Sequence, residues 1–128
     1  MYYIATTTKP VADAARDLEE AVKKHGFGVL HVHDLKETLT RKGHPLAAEC
    51  RIFDVCNPRQ ASLVLQRDMR LNAALPCRIS VYAAPEGGYN IATLQPTVLM
   101  QMFGSPELGP VAKDVEQVLK EMMADAAG

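Results

Sequence analysis

The stretch Cys77-Arg78-Ile79-Ser80-Val81-Tyr82-Ala83, followed by Ala84-Pro85-Glu86-Gly87-Gly88 and then Tyr89-Asn90-Ile91-Ala92-Thr93-Leu94, decides how this chain folds. In its first seven residues Cys77, Ile79, Val81 and Ala83 fall on one face and Arg78, Ser80 and Tyr82 on the other, the period of two of a strand. Pro85-Glu86-Gly87-Gly88 is turn chemistry, so Cys77–Ala83 and Tyr89–Leu94 are expected to pair as an antiparallel hairpin. One face of that hairpin is core, and the other is wet or covered by a partner.

Upstream, Asn57-Pro58-Arg59-Gln60 supplies an N-cap, a proline at the first helical position and a Gln at the third. The helix it opens is expected to turn Ala61, Val64, Leu65 and Met69 inward, and Arg70–Pro76 to connect it to the hairpin. The run Ala47–Cys56 before it resembles a strand. Asp34-Leu35-Lys36-Glu37 has the form of a capping box opening a short helix that ends at Gly43. Before that, Phe27–His33 reads as a strand with Leu30 and Val32 on one face and Val29, His31 and His33 on the other. Tyr2–Thr6 reads as a first strand. Thr8 can cap a helix in which Val11, Ala14, Ala15, Leu18, Ala21 and Val22 recur at helical spacing until Gly26.

Downstream, Val98–Phe103 is a short apolar segment closed by Gly104. A last helix starts at Ser105-Pro106 or at Pro110, carries Val111, Val115, Val118, Leu119, Met122 and Met123 as its stripe, and frays over Ala124–Gly128. The order β-α-β-α-β-α-β-β-α-α predicts an α+β fold: a single mixed or antiparallel sheet of about five strands with helices layered on it.

A length of 128 residues predicts a single domain, residues 1–128, and leaves no room for a catalytic domain plus a separate cofactor domain. With 14 basic against 15 acidic residues, nothing suggests a field for steering nucleic acid. Four Tyr, three Phe and no Trp offer few platforms for stacking bases. The N-terminus lacks the basic and apolar regions of a signal peptide, and no apolar run reaches the roughly 18 residues that would span a bilayer. Three cysteines, an odd number, exclude a fully paired secreted framework, so a cytoplasmic location is expected.

Phe27-Gly28-Val29-Leu30, Asp34-Leu35-Lys36-Glu37-Thr38-Leu39, Cys56-Asn57-Pro58 and Leu75-Pro76-Cys77 leading into Val81-Tyr82 together resemble the small bacterial and archaeal family known as domain of unknown function 302. The likeness spans roughly residues 11–97, with a helical segment, 98–126, beyond it. It implies an α+β fold with helices on a sheet and association as a homodimer. It brings no reaction, substrate or cofactor. Cys56, Asn57, Pro58, Pro76 and Cys77 are the positions that match the family pattern. Cys50, His31 and His33 lie outside it.

Cys56 immediately precedes a helix N-cap, with Arg59 in the first turn, a setting that can bring a thiol from about 8.5 toward neutrality. Such a group could be a nucleophile, a redox sensor or a soft-metal ligand; the plainer reading is a small buried residue at a strand end. Cys77 points into the core by alternation, and only an antiparallel return of its strand would bring it near Cys56. Asp54, on the face of Cys50, Ile52 and Cys56, is either a base beside the thiol or, the favoured reading, an exposed or salt-bridged carboxylate. His31 and His33, two apart on one strand, are spaced to share a metal, yet a structural zinc site needs about four ligands, and a solvated strand face is the favoured reading. Met100, Met102, Met122 and Met123 suggest core or dimer interface before a copper site.

The expected function is a homodimeric binding module for a small ligand, thiol species or soft metal near Cys56, with Asn57, Arg59 and Cys77 beside it. A thiol-dependent redox or nucleophilic enzyme using Cys56 with Cys77 is the rival, and a structural dimer with no site is the third reading. Neither nucleic acid nor membrane is expected as a partner.

Overall fold

The computed structural model describes residues 1–103 and 105–128; Gly104, the expected close of the apolar segment, lies outside the described residues. The order is β1 (Tyr2–Thr7), α1 (Val11–Lys24), β2 (Gly28–Asp34), α2 (Leu35–Arg41), β3 (Cys50–Cys56), α3 (Pro58–Arg67), β4 (Cys77–Ala83), β5 (Tyr89–Leu94), α4 (Pro96–Phe103) and α5 (Gly109–Ala127). Short 3-10 turns cover Met69–Ala74 and Pro106–Leu108. This is the α+β fold expected. The five strands form one sheet in the order β1-β5-β4-β3-β2, antiparallel at every pairing.

β2 to β5 follow one another as a meander, while β1 sits at the far edge beside β5. α1 therefore crosses from one edge of the sheet to the other. α1 and α5 pack together on one sheet face, where Leu18, Val22, Phe53, Val55, Ile79, Val81, Ile91, Leu119, Met122 and Met123 are almost fully buried. Full burial of each such large apolar side chain contributes roughly 1.5–3 kcal/mol. Met122 and Met123 are thus core, whereas Met102 is exposed. A smaller cluster of Val64, Leu71 and Leu108 gathers Leu75, Met100 and Val111 around it under α3 and α4.

The caps form as the sequence dictates. Asn57 Oδ1 accepts from Gln60 N at 3.1 Å with Pro58 in the first turn, and Asp34 Oδ1 accepts from Glu37 N at 3.1 Å. The hairpin closes through Ala84–Gly88, where Gly87 and Gly88 take φ +103° and +74°, values that side chains disfavour.

Several local expectations are corrected. Pro10, not Thr8, occupies the N-cap of α1, and no side chain caps that helix. β3 begins at Cys50 rather than Ala47. α3 stops at Arg67 because Asp68 is extended (φ −153°) and its carboxylate caps the following 3-10 turn, leaving Met69 66% exposed instead of inward. The last helix is the longest and does not fray: Ala126 is fully buried, Thr7 Oγ1 donates to Ala127 O at 3.0 Å and Lys9 Nζ to Ala126 O at 3.0 Å. In β2 a bulge lies between Val29 and His31. Val29 opposes Val55 on the helix-covered side, and His31 and His33 oppose Asp54 and Ile52, so Val29 does not share a face with the histidines.

Replacing Asn57 by Ala removes the α3 cap. The expected loss is about 1 kcal/mol of unfolding free energy in urea titrations. An unchanged denaturation midpoint would contradict the capping role.

Candidate functional site

β3 ends at Cys56, the chain turns through the Asn57 cap into α3, and β4 then returns antiparallel to β3. Register places Cys77 opposite Val55, so the antiparallel return brings Cys56 and Cys77 to one end of the sheet. Both remain free thiols. They line an apolar cavity of about 60 Å³ whose walls include Phe27, Val55 and Val115 from the main core and Val64, Leu108 and Val111 from the smaller cluster. The cavity is the seam between the two clusters. Leu75, Pro76, Cys77, Pro96 and Met100 are shared with a wider groove of about 340 Å³ that also touches Leu99 and Phe103.

Of the expected residues, Cys56, Asn57 and Cys77 line this cavity, while Arg59 is exposed on α3 and is not among its walls. The residue that sequence reasoning missed is Gln60. It was visible only as the third residue of a helix start, yet its Oε1 is buried without a hydrogen-bond partner and its side chain borders the cavity. A buried acceptor left unpaired costs about 1–3 kcal/mol.

Thiol electrostatics run opposite to the sequence expectation. Burial pushes the Cys56 thiol up. Burial, followed by the nearby Cys56, pushes Cys77 up to about 11. Cys50 stands at the other end of β3, in a shallow polar depression with Asp34, Lys36 and Arg51, and is raised by burial and by the Asp34 charge. The cavity walls are therefore neutral thiols at pH 7, polarizable and weakly polar, rather than thiolates.

Asp54 is not beside the thiol; it is salt-bridged. His33 Nε2 lies 2.9 Å from Asp54 Oδ2 and Arg78 Nε lies 3.3 Å from Oδ1. His31 stacks edge-on against His33 with ring centroids 4.4 Å apart. Among the described residues no three His, Cys, Asp or Glu side chains converge as metal ligands, at Cys56 or elsewhere.

The sequence pattern described as "Domain of unknown function DUF302" matches residues 3–126. The chain belongs to the DUF302 family. Its fold is similar to the crystal structure of an uncharacterized conserved DUF302 protein from Bacillus stearothermophilus, with 31% identity, a TM-score of 0.91, and coverage of 98% of this chain and 97% of that one. No curated protein matches the sequence. The DUF302 match extends over the C-terminal helix as well as the motif-bearing strands. No helix among the described residues of this DUF302 chain is long and apolar enough to cross a membrane.

The thiol shifts carry a pH consequence. Cys77 holds its proton more tightly folded than unfolded, so its contribution to stability is complete below about 9 and is lost as pH rises toward about 11. Denaturation midpoints are expected to fall across that window in the wild type and to fall less in Cys77→Ala. Equal slopes would show that Cys77 titrates normally.

Proposed function

We propose that this protein is a non-catalytic, homodimeric binding module for a small, uncharged, mainly apolar molecule. The observation that carries this reading is the almost wholly apolar cavity at which Cys56 and Cys77 meet. The almost wholly apolar lining offers water few hydrogen-bond partners, so a guest displaces no well-held water. A volume of about 60 Å³ limits the enclosed part of the guest to a few heavy atoms, and the adjoining groove gives it a way in. Small thiols suit the same walls, because sulfur packs well against Phe27, Met100 and the two protonated cysteines. A soft metal near Cys56 has less support, since both thiols there are held protonated.

The thiol enzyme is the second reading, and the meeting of Cys56 and Cys77 at one cavity favours it. Against it stands the upward push on both thiols, which leaves little thiolate to attack anything near pH 7. Three free cysteines fit the reducing cytoplasm, where we place the protein.

Self-association is assigned to the sheet face opposite α1 and α5. In register, Ile4, Ala92, Ser80 and Ile52 form a row across β1, β5, β4 and β3, Ile4 is 49% exposed, and the β2 edge with its two imidazoles stays outside the contact. Two such faces packed together would bury the apolar part of that row. Light scattering is expected to give twice the chain mass for the wild type and the chain mass for Ile4→Lys. A monomeric wild type overturns the dimer.

Ethanol and ethanethiol, titrated while amide NMR shifts are followed, are expected to move resonances around Gln60 and Cys77 saturably. Ala61→Phe, which fills the cavity, should abolish this. Absence of any saturable shift in the folded wild type would sink the binding reading.

A further inference from the structure

The open face of the β2–β3 pair carries a second cluster, separate from the cavity and unused by it. The bulge at Val29/His31 leaves His31 directly opposite Asp54 and His33 opposite Ile52, so the two imidazoles stand together over one buried carboxylate. His33 Nε2 is engaged at 2.9 Å by Asp54 Oδ2, which leaves Nδ1 as its free ring nitrogen. Asp54 is in turn braced by Arg78 Nε at 3.3 Å, but out of hydrogen-bond alignment, so Oδ1 is buried and still lacks a hydrogen-bond partner.

We propose that His31 and His33 form a two-imidazole site for a divalent first-row transition metal, with Asp54 as the outer carboxylate that orients His33. Histidines that bind metals characteristically give their second ring nitrogen to a carboxylate, which fixes the ring and raises its basicity. That outer arrangement is already in place at His33. The second imidazole is supplied by His31, whose ring lies 4.4 Å away centroid to centroid. Two neutral imidazoles suit nickel(II), zinc(II) or copper(II) rather than magnesium or calcium. With no third protein ligand among the described residues, the remaining positions belong to solvent.

The other histidines lack this arrangement. His25 faces carboxylates from both ring nitrogens, Asp125 at 2.9 Å and Glu121 at 3.8 Å, and His44 lies in the exposed loop after α2. The bulge has a role here too: without the extra residue, Val29 would share the face of the imidazoles.

Calorimetric titration of tag-free protein with nickel(II) tests the site. One ion per chain is expected, with His31→Gln and His33→Gln each weakening binding at least tenfold, and Asp54→Asn weakening it about 10- to 100-fold through its hold on His33. Circular dichroism of each variant without metal establishes that it is folded. Should Asp54→Asn fail to fold, histidine-ring NMR of the wild type with zinc(II) replaces it, expected to show coordination through His33 Nδ1. No binding by the wild type, undiminished binding in the His31→Gln/His33→Gln double variant, or coordination through His33 Nε2 would each overturn the proposal.

Discussion

The antiparallel pairing of β3 with β4 is the constraint on which both chemical features of this protein depend. A single register sets Val55 against Cys77 on the helix-covered side and Asp54 against Arg78 on the open side. The first pairing carries Cys77 to the end of the sheet where Cys56 enters the α3 cap. The second lets a buried carboxylate sit beside a guanidinium instead of standing as an isolated charge, which the interior would not tolerate. Because side chains alternate, a slip of β4 by one residue against β3 would turn β4 over, sending Arg78 into the core and Cys77 out of it and leaving Asp54 without its guanidinium.

The helices do not share the burial evenly. α1 and α5 cover most of the sheet and are tied to it near its edge by the bonds from Thr7 and Lys9 to the end of α5. α3 and α4 build their own small cluster, and Glu116 links α4 to α5 by accepting from Thr97 N and Thr97 Oγ1. Two clusters assembled by different helices meet imperfectly along Phe27, Val115 and Val111, and the cavity is what remains at the meeting line. A protein whose interior were one continuous core would be expected to close it, since each unfilled volume forfeits contacts.

What could be read in advance was local. The period of two in Cys77–Ala83, the Gly87-Gly88 turn, the Asn57 and Asp34 caps and the stripe of α1 each express their conformation within a few residues, and all are present as read. What could not be read depends on distant partners. The bulge in β2 arises from pairing with β3, and the C-terminal turn of α5 is ordered by Thr7 and Lys9 from the other end of the chain. Asp68 is an exception of another kind: its carboxylate competes locally for the backbone, a signal present in the sequence but outweighed there by the apolar spacing that placed Met69 inside. The candidate site divides along the same line. Cys56, Asn57 and Cys77 were visible as residue types, whereas Gln60 acquires its meaning only from burial, and the descent of the thiol pKa argued from the helix terminus is reversed by it.

β1 reaches its partner late. Its closest paired positions, Thr7 and Tyr89, are 82 residues apart, and Tyr2 with Leu94 are further still. A chain leaving the ribosome must therefore carry β1 unpaired until the meander is finished, while α1 waits for the strands it will cover. Such long-range closure raises contact order and slows folding compared with a helical bundle of the same length. The meander β2–β5 has only neighbouring connections and can form first, so the last strand synthesised supplies the template for the first.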